Sequence, residues 1–94
     1  MKTPDRETVS RLDELPNIGK KIAADLESIG IDHPRKLVGK SPAKLYEKLC
    51  DRKGVRVDHC VIDVFMSAVD FMEGADPKPW WEYTAERKII MKDR

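Results

Sequence analysis

The chain has 94 residues, 40% hydrophobic and 37% charged, with a formal net charge of +1. That length predicts one domain over residues 1–94 built on a single core. Its most apolar stretch, residues 61–72, is interrupted by Asp63 and Asp70 and is too short to span a bilayer, which excludes a membrane protein. The near-neutral balance conceals an asymmetry: eight basic residues face Glu47 and Asp51 between Arg35 and Arg56, whereas seven acidic residues face Lys78 between Val57 and Glu86. One basic and one acidic surface are therefore expected.

The opening MKTPDRETVSR has no apolar run of the kind a signal peptide needs, and the chain carries two cysteines, Cys50 and Cys60. Both features point to a cytoplasmic protein with free thiols. Thr3-Pro4 can enter a helix, and Val9, Leu12 and Leu15 recur on one face, so a first helix is predicted over about 5–15. Pro16 and Gly19 break the pattern. Ile22, Ala23, Leu26 and Ile29 restore it, with Gly30 as the C-terminal cap, predicting a helix over about 19–29. His33-Pro34 opens a short helical turn carrying Leu37 and Val38, and Ser41-Pro42 caps a longer helix over about 42–52, with Leu45, Tyr46, Leu49 and Cys50 on one face.

Asp58 can cap the next helix, in which Val61, Ile62, Val64, Phe65, Met66, Ala68, Val69, Phe71 and Met72 leave only Asp63, Ser67 and Asp70 as a narrow polar stripe. A helix apolar nearly all round belongs at the centre of a domain. It should end near Gly74, where ADPKPWWEY interrupts regular helix before a last segment over about 82–92. No strand pattern competes, so the predicted fold is an all-α, compact domain of five to six helices. The order helix, hairpin, helix followed by helix, link, helix also admits a degenerate tandem pair, the second unit running through DRKGVRV.

The stretch LPNIGKKIA, residues 15–23, carries the clearest functional signal. Pro16 fixes φ and cannot donate, and Asn17 tolerates a left-handed backbone better than any residue but glycine. On that reading a glycine at position 17 should be tolerated. Ile18 is a hydrophobic pin between helices. Gly19 starts the next helix without a capping side chain, leaving its first amides open to an anion. Lys20 and Lys21 put positive charge at the dipole end where acidic residues normally stabilise a helix, a mismatch that an incoming anion would relieve.

These residues, with Leu26 and Ile29-Gly30-Ile31, resemble the helix-hairpin-helix motif of DNA-binding and repair proteins, the motif spanning about 5–29. Over a longer span the chain resembles the C-terminal domain of the bacterial competence regulator TfoX. From Leu12 through Pro79-Trp80-Trp81-Glu82 to about Lys88 it also resembles the short bacterial helix-hairpin-helix proteins named after a pathogenicity locus. The resemblance implies that hairpin amides hold a DNA phosphate without reading sequence. It departs from the motif at Asn17, which stands where the first hairpin glycine is usual. Such turns also serve purely as packing devices.

Lys44, Lys48 and Arg52 recur every four residues on one helix face, between Lys40 and Lys53, and suit either a phosphate backbone or a solvated face laced with ion pairs. Trp80, Trp81 and Tyr83 suit closure of the core better than stacking on unpaired bases. His33, Cys50, Asp58, His59 and Cys60 are metal-ligand types without metal-ligand spacing, and no catalytic pair or nucleotide loop is recognisable.

The sequence thus predicts a non-enzymatic protein without cofactor or metal. Its partner is expected to be double-stranded DNA, contacted by Asn17, Ile18, Gly19, Lys20 and Lys21 with Lys44, Lys48 and Arg52 assisting. The alternative is an adaptor that offers a protein partner its acidic stripe, Asp63, Ser67, Asp70 and Glu73, or the Trp80-Trp81 segment.

Overall fold

A computed structural model describes residues 7–90. Its described residues form four α-helices and three 3-10 turns: a turn at Leu12–Glu14, α1 Lys20–Ser28, a turn at Pro34–Leu37, α2 Pro42–Lys53, α3 Cys60–Met72, a turn at Trp80–Tyr83 and α4 Thr84–Ile90. The all-α expectation holds.

The first predicted helix does not form. Within the described part of 5–15 only Leu12–Glu14 is helical, and as a single 3-10 turn. The reason is local. The Glu14 carboxylate accepts the amides of Ser10 at 3.1 Å and Arg11 at 2.8 Å, giving them a side-chain partner in place of a helical carbonyl. Those two bonds also hold the Glu14 carboxyl below its usual range. Val9, Leu12 and Leu15 are nevertheless buried, so the apolar spacing located core residues while misreading the backbone between them. Residues 91–92 of the last predicted helix, and residues 5–6 of the first, lie outside the described residues.

α1 ends as its sequence dictates. Gly30, at φ +94°, lets the amide of Ile31 reach the carbonyl of Leu26 at 2.9 Å and its own amide reach Glu27 at 3.1 Å. This Schellman closure brings Ile31 onto Leu26, both buried. The 34–37 turn is capped by His33, whose Nδ1 accepts the Arg35 amide, and α2 by Ser41 with Pro42 in its first turn. From the end of α3 the Glu73 carboxylate accepts the Gly39 amide at 2.7 Å, tying the 34–40 region to the central helix.

α3 is buried at 11 of its 13 positions and packs against α2, the 34–37 turn, the 80–83 turn and α4. Two of the three residues of the stripe expected on its surface are therefore covered. Asp63 is fully buried and Ser67 nearly so, because the chain from Lys78 to Arg87 lies over them. Asp63 accepts hydrogen bonds from Thr84 Oγ1 at 2.8 Å and Arg87 Nε at 3.0 Å, and this ion pair fastens α4 to α3. Asp63 and Ser67 cannot be the docking face of an adaptor.

Two predictions follow from the packing. Arg87→Met strands the Asp63 carboxylate and should destabilise the fold by about 3 kcal/mol, while Asp63→Leu with Arg87→Met recovers most of the loss; urea unfolding of the two variants measures it. Tyr46 and Tyr83 have hydroxyls pushed up to about 12, by burial first, then by the Cys50 thiol beside Tyr46 and the Asp70 carboxylate beside Tyr83. A raised tyrosine keeps its proton in the folded state after the unfolded chain has lost it, so urea midpoints should start to fall near pH 10 and keep falling to about pH 12.

Candidate nucleic-acid interface

Between the 12–14 turn and α1 the chain makes a tight reversal. Pro16 and Asn17 are its central residues, Asn17 has φ +67°, and the Ile18 amide donates to the Leu15 carbonyl at 3.2 Å. Proline followed by a positive-φ residue is the pattern of a type II turn, for which asparagine substitutes when glycine is absent. The left-handed backbone expected at Asn17 is present.

The Asn17 side chain points back onto the fold. Its Nδ2 donates to Ser67 Oγ on α3 at 3.1 Å and to the Lys78 carbonyl at 2.7 Å. Ser67 in turn donates to the Val64 carbonyl at 2.7 Å. One amide group therefore joins hairpin, central helix and the proline-rich connector. These bonds argue against the expectation that glycine is tolerated at position 17.

Ile18 is buried, as a pin should be, and its amide is committed to the turn. Neither its side chain nor its N–H is available to a ligand. What the hairpin does present starts at Gly19, the N-cap of α1, which supplies no side-chain cap. The amides of Gly19, Lys20, Lys21 and Ile22 have no hydrogen-bond acceptor among the described residues; the first intrahelical bond is Ala23 to Gly19, at 3.0 Å. Gly19, Lys20 and Lys21 are exposed, and the first turn holds no acidic residue.

Gly19 has φ −96°, which any residue adopts, and an added Cβ would meet nothing within 4 Å. Neither backbone conformation nor packing within the chain requires a glycine there.

Lys44, Lys48 and Arg52 are exposed on α2 and form no ion pair with another described residue. Lys53 Nζ pairs with Asp25 Oδ1 of α1 at 3.1 Å. That bridge sets the Arg52 end of the stripe against the second turn of α1, one turn from Lys21. Lys44 lies about 12 Å farther along α2 at 1.5 Å per residue.

Sequence reasoning missed Ser67 and Lys78 as partners of the hairpin. The departure from glycine at position 17 was the available signal, since a side chain placed at a turn invites the question of what it bonds. Trp80 is half-buried against the core, whereas Trp81 is 61% exposed, the two rings meeting edge-on with centroids 5.8 Å apart. A cavity of about 580 Å³ lined by Tyr46, Glu47, Cys50, Asp51, Val55 and Arg56 involves no hairpin residue. Cys50 and Cys60 are free, no group of three or more metal-ligating side chains assembles among the described residues, and no described helix is long and apolar enough to cross a membrane.

Fold and site define a small all-α protein with an uncapped, lysine-flanked helix N-terminus held on its surface by a side-chain latch. A family model described as "Pathogenicity locus", Cdd1, matches residues 5–89, and the chain belongs to that family. It is similar to the mitomycin resistance protein McrB of Streptomyces lavendulae, at 43% identity over 82 residues covering 87% of this chain and 78% of that protein. No solved structure matches.

The latch predicts a stability order. Asn17→Gly keeps the turn but loses both donor bonds and should cost about 1–2 kcal/mol, while Asn17→Asp, which sets a carboxylate against the Lys78 carbonyl, should cost more. Urea unfolding measures both, and a glycine variant as stable as the parent would show the latch to be energetically idle.

Proposed function

We propose that this protein binds double-stranded DNA without sequence preference and without catalysis, holding a backbone phosphate at the N-terminus of α1. The hairpin is read as a helix-hairpin-helix in which the first helix has shrunk to the 12–14 turn. The observation that carries the reading is Gly19. A serine or aspartate at this N-cap would fit, since the Cβ position is open, and would stabilise α1 by a few tenths of a kcal/mol or more. The chain instead leaves four amides without an acceptor among the described residues and adds Lys20 and Lys21, against the helix dipole. All of these features suit a ligand oxyanion that supplies the missing cap. Arg52, with Lys48 and Lys44 beyond it, then offers secondary phosphate contacts.

Adaptor function is the competing reading, and after the burial of Asp63 and Ser67 it rests on exposed apolar side chains, Trp81 at 61% and Ile89 at 72%. Salt separates the two. A phosphate contact releases counterions, so log Kd should change with log salt by about 0.9 per phosphate, with three to five contacts plausible for this face and Kd of roughly 10⁻⁴ to 10⁻⁶ M near physiological salt. An adaptor shows no DNA binding at any salt.

Gly19→Asp is the sharpest variant. It caps α1 and suits the dipole, so its melting temperature should equal or exceed the parent's, while its carboxylate fills the phosphate position and DNA binding collapses. Lys20→Glu with Lys21→Glu should behave alike, and Lys44→Ala with Lys48→Ala should only weaken binding and lower the salt slope by at most about two. Unchanged DNA affinity in Gly19→Asp would make the hairpin a packing device. Likeness to a mitomycin resistance protein suggests a cellular readout: cells carrying the Gly19→Asp chain should tolerate mitomycin less well than cells carrying the parent.

A further inference from the structure

We infer that the outward face of the last helical segment docks a protein partner bringing apolar side chains flanked by lysine or arginine, with Trp81 as the anchor and Glu82 and Glu86 as the charged edge. The surface uses no hairpin residue, so it is independent of the DNA reading.

Contacts settle which way the segment faces. Thr84, where the 80–83 turn passes into α4, has φ −59° and ψ −43°, so turn and helix run on as one helical stretch. Trp80 packs against the core, Tyr83 is buried, and Thr84 and Arg87 bond Asp63 of α3. Those four positions follow the i, i+3, i+4, i+7 spacing of one helix face. The other six from Trp81 to Ile89 are all exposed: Trp81, Ala85 and Ile89 recur every four residues, Glu82 and Glu86 run alongside them, and Lys88 lies on the far edge.

Trp81 is 61% exposed and Ile89 72%, and Ala85 between them leaves room for close approach. Large apolar side chains exposed singly mean little, but in one row they mark an interaction surface. The edge-on contact with Trp80 braces the Trp81 indole, so little side-chain freedom is lost when a partner covers it.

Charge selects the occupant. The Tyr83 hydroxyl is raised by burial first and then by Asp70, Glu86 and Glu82, so all three carboxylates lie within electrostatic reach of it. The Lys78 ammonium, 5.6 Å from the centroid of that ring, offsets one of them. An edge with acid in excess repels a phosphate backbone and attracts lysine or arginine. A second copy of this chain fits less well. With α4 packed antiparallel on its own copy about a two-fold axis, Glu82 and Glu86 meet the same two glutamates, and packed parallel they meet the single Lys88. A basic amphipathic segment satisfies the apolar row and its acidic edge together.

Fluorescence anisotropy tests this with a labelled amphipathic helical peptide of leucine and lysine, the same peptide with glutamate for lysine, and a scrambled leucine-lysine peptide, each titrated with the full chain. The patterned lysine peptide should bind, shift tryptophan emission to the blue and weaken as salt rises, and both controls should bind at least about tenfold more weakly. Trp81→Ala should weaken it about tenfold or more. Glu82→Gln with Glu86→Gln should weaken it about threefold and flatten the salt dependence. These side chains are exposed, so both variants should melt with the parent. Gly19→Asp should leave the peptide bound as before, and a loss there would assign the peptide to the hairpin and overturn the inference. Absence of binding, a control that binds equally, or full affinity in Trp81→Ala also overturns it. So does self-association in sedimentation that Trp81→Ala abolishes, which makes a second copy the occupant, or binding of a single-stranded oligonucleotide that Trp81→Ala abolishes, which makes it a nucleic acid.

Discussion

A helix buried on every side must have its polar side chains satisfied by whatever covers it, and in α3 that requirement organises the molecule. Asp63 and Ser67 sit four residues apart among apolar neighbours, too deep for water to serve them. Asp63 takes its partners from Thr84 and Arg87, which fixes α4. Ser67 takes its donor from Asn17, which fixes the hairpin. The two polar groups that burial made costly thus select where the two ends of the chain dock. An apolar α3 would bury as much surface and discriminate less among alternative placements of those ends, a trade in which polar core groups contribute specificity rather than net stability.

From that docking the electrostatics of the hairpin follow. With Asn17 turned inward and Ile18 pinned in the core, the turn closes without using the α1 amides, and Gly19 meets solvent with no side chain over them. The helix start is open because the residues before it are committed elsewhere. Lys53 and Asp25 then set the C-terminal end of α2 against the second turn of α1, and with it one end of the basic segment that the charge count located between Arg35 and Arg56. A net charge of +1 conceals this because the compensating acids lie in a different segment, between Val57 and Glu86.

Much of the fold was legible in the sequence wherever periodicity and caps agreed. α1, α2 and α3 begin and end within about two residues of the pattern. Each has its own punctuation: the Schellman glycine after α1, Ser41-Pro42 before α2 and Gly54 at +70° closing it, and the apolar run of α3 itself. The first segment was misread because Val9, Leu12 and Leu15 meet helical spacing equally well when a 3-10 turn and extended residues carry them to the core, and no periodicity argument sees the Glu14 carboxylate taking the amides. Of the site, the residues were legible and their roles less so. Asn17, Gly19 and the lysines were found from turn and dipole chemistry, which is local. That the Asn17 side chain bonds Ser67 and the Lys78 carbonyl depends on contacts 50 and 61 residues apart in sequence, which local chemistry cannot encode.

The departure at position 17 then acquires a physical meaning. A glycine there would serve a type II turn as well or better, and would leave the hairpin attached chiefly through Ile18 and the chain on either side. Asparagine accepts a slightly costlier backbone conformation and returns two long-range hydrogen bonds, one to the central helix and one to the connector that carries the tryptophans. Positions 17 and 19 therefore do different things: the first fastens the turn and ties it to Lys78, while the second leaves the helix start without a capping side chain. A chain whose hairpin only packed would gain from a side chain at both positions, since aspartate or serine fits at 19 without strain. The asymmetry between the two positions distinguishes a latch from an opening, and it places the opening at Gly19.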